Sequence, residues 1–269
     1  MMAPTTDIPQ CDLLLFVATE SEYQALKESA TLLGITFDSH ESGLGDYYDM
    51  GTIGLHRVLA IRTRIGSFKH GGPASRAITF QAATGATGVI QLGMAFGLSR
   101  KMQGYGQVLV SASLFPYDER EVHDGPVEPI VSYARTKRWL AHPGLISMLK
   151  REILRERHSF RVEVGTLLSG GARISSSRFR DNLAASVPPG PDPIIGGEME
   201  GIGLLAVAPA DRPIWIVVKG ISDFADGDST TTIDSERLGA CRNAAEFVLS
   251  ALINDAHDRR GQASRSQTA

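Results

Sequence analysis

Short apolar runs alternate with polar, glycine-bearing stretches along most of this chain. Residues 12–18 (DLLLFVA) form a strand-sized apolar run, and residues 20–33 read as a helix that Gly34 ends. A strand is predicted at 56–61, a helix at 73–84 and a further strand at 89–92. The segment 107–112 reads as a strand. Residues 143–157 read as an amphipathic helix with proline at its first position, where a missing N–H costs nothing. Alternation at 161–168 predicts another strand. An apolar helix follows at 199–208, a buried strand at 213–218 (PIWIVV) and a closing helix at 235–256. The proline-rich 186–193 is read as a loop rather than a domain boundary.

Strands alternating with helices predict an α/β fold: one three-layer αβα domain over 11–256 with a central, mixed, mostly parallel twisted sheet. Residues 1–10 are expected to be a flexible terminus and the polar 257–269 a disordered tail. The strands are rich in Val, Ile and Leu, as in sheets covered on both faces. Sites in such sheets form at the carboxyl ends of the strands. The segments at those positions are polar and glycine-rich: TESEY after 12–18, RTRIGSFKHGG after 56–61, GMAFG after 89–92, SGGARISSS after 161–168, and KGISDFADG after 213–218. GGEMEG precedes the helix at 199.

Each segment also has a purely structural reading. Glu20 and Glu22 suit the first turn of a helix, and GMAFG suits a tight turn. Ser175 or Ser176 suits a helix cap, and Asp223 suits a cap on the turn after its strand. The cations of RTRIGSFKHGG suit a solvated loop as well as an anion site.

Composition narrows the field. The chain has 269 residues, 42% hydrophobic and 21% charged, with a net charge of -3, which gives no footprint for nucleic acid or an anionic membrane. Two cysteines, Cys11 and Cys241, in no metal spacing fit a reducing compartment. No apolar run approaches the ~18 residues a membrane span needs. MMAPTTDIPQ lacks the pattern of a secretion signal, so a cytoplasmic location is expected. The seven histidines are scattered, so neither a metal nor a cofactor is expected. His70, beside Gly71 and Gly72, is the histidine to watch as an anion or sugar contact.

GGEMEG followed by WIVVKGISDFAD resembles the signature of the purine nucleoside phosphorylase and methylthioadenosine/S-adenosylhomocysteine nucleosidase superfamily. FVATESEYQAL, RTRIGSFKHGG, LGMAFGL and SGGARIS fall in the same order as that family's water-activating segment, first glycine loop, glycine-rich turn and base-stacking loop. The resemblance implies a purine nucleosidase that binds a purine nucleoside or nucleotide. Asp223 would be the acid at purine N7, Glu22 would activate water, and Glu200 would grip the ribose hydroxyls. Met199 would pack on the sugar, and Ser222 would support the base or hold Asp223. Glu198, Met94, Ala95, Phe96, Arg173, Ile174, Lys219, Arg64 and Gly66 would complete the substrate site.

The chemistry wants these groups. Breaking a glycosidic bond builds positive charge on the sugar and negative charge on the departing base. An acid at the base must then hold a proton near neutral pH, above the ordinary aspartate value of about 3.9. Burial behind PIWIVV and neighbouring carboxylates are expected to push Asp223 that way.

The nucleophile separates two activities. The family's phosphorylases place an arginine after the first strand and another before the glycine turn. This chain has TESE and Gln91 there, which favours water. Arg62 and Arg64 keep phosphorolysis as the alternative, and a non-catalytic nucleoside-sensing module is a third reading, since fold alone does not settle function.

Arg173 replaces the usual aromatic of the base loop, Lys219 replaces an arginine, and Met94 and Phe96 replace smaller residues. In its GGEMEG and KGISDFAD segments the chain is similar to members found in bacterial defence and effector proteins. The departures bring a phosphorylated adenosine alongside methylthioadenosine as a candidate substrate. The family also implies a homo-oligomer, dimer or hexamer, and the apolar LFPY at 114–117 is a candidate interface.

Overall fold

A computed structural model describes residues 8–206, 214–227 and 232–266, with side chains placed at 8–206, 214–227 and 236–258. In chain order the elements are β1 (Leu13–Val17), α1 (Glu20–Leu32), β2 (Asp38–His40), β3 (Tyr47–Ile53), β4 (His56–Arg62), α2 (Pro73–Thr84), β5 (Gly88–Phe96) and β6 (Val108–Pro116). There follow β7 (Glu121–His123), β8 (Ile130–Ser132), β9 (Trp139–Leu140), α3 (Pro143–Ile153), β10 (Val162–Ser169), α4 (Ser177–Ser186), β11 (Ile194–Glu198), a 3-10 helix (Gly201–Ala206), β12 (Trp215–Asp223) and α5 (Thr232–Ser266).

The main sheet has ten strands in the order β11-β10-β6-β12-β5-β1-β4-β3-β2, with β9 added beside β6. Its centre is parallel: β4, β1, β5 and β12 run the same way, and β6, β10 and β11 form a second parallel set joined antiparallel to β12. This is the mixed, mostly parallel αβα arrangement expected. The central strands are buried from end to end, as in LLLFV of β1 and the first eight residues of β12, so both faces must be covered. Helix α5 packs on α1, α3, β5 and β12, while α2 packs on the 3-10 helix. Gly220 permits the packing of α5 on β12, because a Cβ there would overlap the Ala240 carbonyl of α5. Among the described residues no helix is long and apolar enough to cross a membrane.

Several expectations change. GMAFG is not a tight turn: β5 runs through Met94 and Ala95 to Phe96, and at Gly97 the backbone N–H still bonds the Asp223 carbonyl. The segment before 199 is a strand, β11, which curls back to pair Gly197 with Phe96. The predicted helix at 199–208 is a 3-10 helix beginning at Gly201, and residues 207–208 lie outside the described residues. LFPY is core rather than an exposed interface. Leu114, Phe115 and Tyr117 are buried, and the Tyr117 hydroxyl donates to the Ala172 carbonyl at 2.9 Å. Of the expected flexible terminus, 1–7 lie outside the described residues and Ile8 is buried in the core. Helix α5 continues to Ser266, through most of the stretch read as a tail. Arg151 and Arg155, of and after α3, hold Asp255 and Asp258 where that stretch begins.

Candidate active site

The carboxyl ends of β1, β5, β10, β11 and β12 open on one cavity of about 620 Å³. Glu22, Met94, Ala95, Phe96, Arg173, Ile174, Glu198, Met199, Glu200, Ser222 and Asp223 all line it, so eleven residues scattered over two hundred positions converge. Lys219 does not reach the cavity surface. It lies fully buried beneath the carboxylates. Gly66 touches the site through its N–H, which donates to Glu200 Oε1 at 3.4 Å. Arg64 faces a neighbouring cavity, and His70 lines neither.

Glu22 owes its place to the start of α1. Thr19 caps the helix: its hydroxyl accepts from the Glu22 N–H at 3.2 Å, and Glu22 Oε2 accepts from the Thr19 N–H at 2.9 Å. The same oxygen accepts from the Ala18 N–H at 2.6 Å, and Oε1 accepts from the Met94 N–H at 3.0 Å. The first-turn reading of Glu22 is therefore correct and compatible with a site role. Gly93, with φ +141, lets the carboxylate approach β5, since a Cβ there would overlap Glu22 Oε1.

Three buried carboxylates surround one ammonium. Lys219 Nζ lies 2.9 Å from Glu200 Oε2, 3.7 Å from Glu198 and 4.0 Å from Glu22. Burial pushes the Glu22 and Glu198 carboxyls above their ordinary range; Lys219 opposes that shift and Glu200 adds to it. Burial alone would lower the Lys219 ammonium, but the three carboxylates outweigh it and its pKa is raised. Glu198 also braces the turn, its Oε2 accepting from the Glu200 and Gly201 N–H groups at 2.9 and 2.7 Å.

Asp223 is placed differently. It ends β12 half-buried, with Oδ1 accepting from the Ala225 N–H at 2.9 Å and Oδ2 3.1 Å from the Ser222 hydroxyl. The Ser222 hydroxyl also lies 3.4 Å from the Ala95 carbonyl. The turn-capping reading of Asp223 thus holds alongside its place in the cavity. The carboxylates expected to neighbour Asp223 are gathered on Lys219 instead, and the strand end leaves Asp223 less covered than PIWIVV suggested.

Sequence reasoning missed parts of the wall: Thr19, Ser21, Ile65, Ser175, Asp226 and Arg237. Thr19 carried a readable signal, the T-x-x-E capping box. Arg237 on α5 carried none, because its position depends on how the closing helix packs. Arg180 was missed too. It is buried and donates to the Phe224 carbonyl, tying α4 to the loop after Asp223. Ser176 caps α4, as its N-cap reading expected. Gln91 is buried outside the cavity, with Nε2 donating to the Leu92 carbonyl, so it offers no phosphate contact.

This architecture gathers acids and glycines at one edge of a mixed, mostly parallel sheet. A family model for the phosphorylase superfamily matches residues 12–254, and the chain belongs to that superfamily. Among solved structures it is similar to the methylthioadenosine/S-adenosylhomocysteine nucleosidase of Neisseria meningitidis in complex with methylthio-immucillin-A (TM-score 0.71, 20% identity, 90% of this chain and 99% of that one). It is also similar to futalosine hydrolase of Helicobacter pylori (TM-score 0.70, 18% identity, 91% and 97%). In sequence it is 27% identical over 184 residues to a death domain-containing ATP nucleosidase of Amphimedon queenslandica, an alignment covering 62% of this chain and 34% of that protein. The matched part thus spans about a third of that relative's length.

Proposed function

We propose that this chain is a purine nucleosidase, hydrolysing the N-glycosidic bond of an adenosine-type nucleoside or nucleotide. The observation that carries this reading is one cavity holding Glu22, Glu200 and Asp223, with no arginine among them at the positions a phosphorylase would use. The nucleosidase-like fold and the relative described as an ATP nucleosidase support it.

The roles follow from position. The base lies at the Asp223 end, under the 172–175 loop, where Asp223 gives a proton to N7 as the bond between C1′ and N9 breaks. The bonding pair leaves with the base. Water attacks C1′ from the Glu22 side, and Glu22 accepts its proton, so the products are free base and free sugar. Glu200 accepts from the 2′ and 3′ hydroxyls and faces the cationic ring, and Met199 packs on the sugar. Lys219 holds the two catalytic glutamates in register from beneath. Acid assistance of this kind is worth ~10²–10⁴ in rate. Association as a homo-oligomer in the cytoplasm is part of the same proposal, and light scattering on the purified chain checks the assembly.

The test is adenine release from methylthioadenosine, adenosine, AMP and ATP in phosphate-free buffer. Release from at least one substrate is expected. Absence of release from all of them overturns the hydrolase, and strict dependence on added phosphate selects phosphorolysis instead.

A further inference from the structure

A second cavity, of about 450 Å³, adjoins the first and has no part in the roles above. Arg62, Arg64 and Arg76 line it together with Tyr48, Asp46 and Ile65. Three arginines and one aspartate thus line the same cavity. Ile65 lines both cavities, so they meet at the loop that follows β4.

The arginines are poorly satisfied for such a concentration of charge. The Arg64 side chain has no hydrogen bond or ion pair among the described residues and is exposed. Arg76 donates through Nη1 to the Leu44 carbonyl, but its Nε is buried without an acceptor. Arg62 pairs at 2.6 Å with Glu20, whose side chain is 69% exposed. Exposed pairs of that kind are worth only ~0–1 kcal/mol, so Arg62 can exchange Glu20 for another anion. Guanidinium forks match the oxygens of a phosphate in pairs, which a point charge cannot do.

The placement relative to the sugar decides which phosphate. Gly66, two residues after Arg64, donates to Glu200, the residue assigned to the 2′ and 3′ hydroxyls. With the base at Asp223 and those hydroxyls at Glu200, the remaining substituent of the ribose is the one on its 5′ carbon. It lies beside the loop that opens on the arginines. We propose that the second cavity is the subsite for the 5′-phosphate chain of a purine nucleotide, so that a nucleotide is preferred over the bare nucleoside. This rests on reading the first cavity as a nucleosidase site.

Two measurements on wild-type protein and Arg64→Ala test it. In phosphate-free buffer, kcat/KM for adenine release from AMP and ATP, divided by that for adenosine, should fall at least tenfold in the variant. The exposed position makes folding of the variant a mild demand, and Arg64→Glu should lower the ratio further. An unchanged ratio overturns the subsite. So does acceleration of adenosine cleavage by added inorganic phosphate that Arg64→Ala abolishes, since the cavity would then hold a co-substrate. Calorimetric titration with inorganic tripolyphosphate reads the cavity without turnover. Binding at least tenfold weaker in Arg64→Ala supports the subsite, and equal or absent binding overturns it. If the wild type releases no base from any substrate, the hydrolase reading fails and the tripolyphosphate titration alone decides the cavity.

Discussion

The two ends of the main cavity solve opposite problems. At one end Glu22, Glu198 and Glu200 are buried around Lys219, each held by backbone N–H groups, the ammonium or both. At the other, Asp223 is half-buried and relies on its own turn, through Ala225 N–H and the adjacent Ser222. The difference teaches where charge is preset and where it is left for the ligand. Around Lys219, burial raises the Glu22 and Glu198 carboxyls, the ammonium opposes that shift and Glu200 adds to it. Asp223 shares its cavity with Arg173, Asp226 and Arg237, and its own carboxylate is held by the turn that follows it. The proposed hydrolysis, which builds a cationic sugar and an anionic base, would draw on both kinds of end.

The largest expected effects lie at the reacting groups. Asp223→Asn and Glu22→Gln should each lower kcat by ~10²–10⁴, read by adenine release, while nucleoside binding in Asp223→Asn persists. Loss of nucleoside binding together with turnover in Asp223→Asn would break the contrast between the ends. Next comes the ammonium. Lys219→Met leaves buried carboxylates uncompensated and should cost about 3–5 kcal/mol in chemical denaturation, and Lys219→Arg should restore most of it.

The pH profile sharpens the same point. In the proposed mechanism Glu22 acts ionised, so activity should rise as pH climbs through its pKa, which burial has raised above the ordinary ~4.3. The acid limb of kcat/KM should therefore lie above that value. In Lys219→Met, where the lowering influence of the ammonium is gone, it should move higher still. A limb that does not move would detach Lys219 from Glu22. Raised folded-state values at Glu22 and Glu198 also mean a contribution to stability that is present below ~4.3 and lost as pH rises through the raised range, visible in the denaturation midpoint against pH. The smallest effect is Thr19→Ala, which removes a helix cap worth ~0.5–2 kcal/mol and loosens Glu22.

Most of the central sheet was legible because its strands are short, continuous apolar runs bounded by polar ends. The errors cluster where glycine was taken as punctuation. Gly93 does not end β5. It admits Glu22 to the strand, a contact between residues 71 positions apart that no local pattern announces. β11 was hidden because two of the five residues of its IIGGE are glycine, and it is stabilised by pairing with β10 and a curl onto Phe96. At the site the residues themselves were legible through family resemblance, and the capping box was legible through its spacing. The gathering of three carboxylates on Lys219 was not, because it depends on α1, β11 and β12 meeting across the sheet edge.

The central claim is that Asp223 protonates the departing base, and a leaving group that needs no proton tests it most directly. Asp223→Asn and wild type should be compared on adenosine and on an N7-methylated purine nucleoside, or on the corresponding nucleotides. The account predicts a defect of ~10²–10⁴ on the ordinary substrate that shrinks by at least tenfold when N7 already carries the methyl group. An equal defect on both would contradict the acid role.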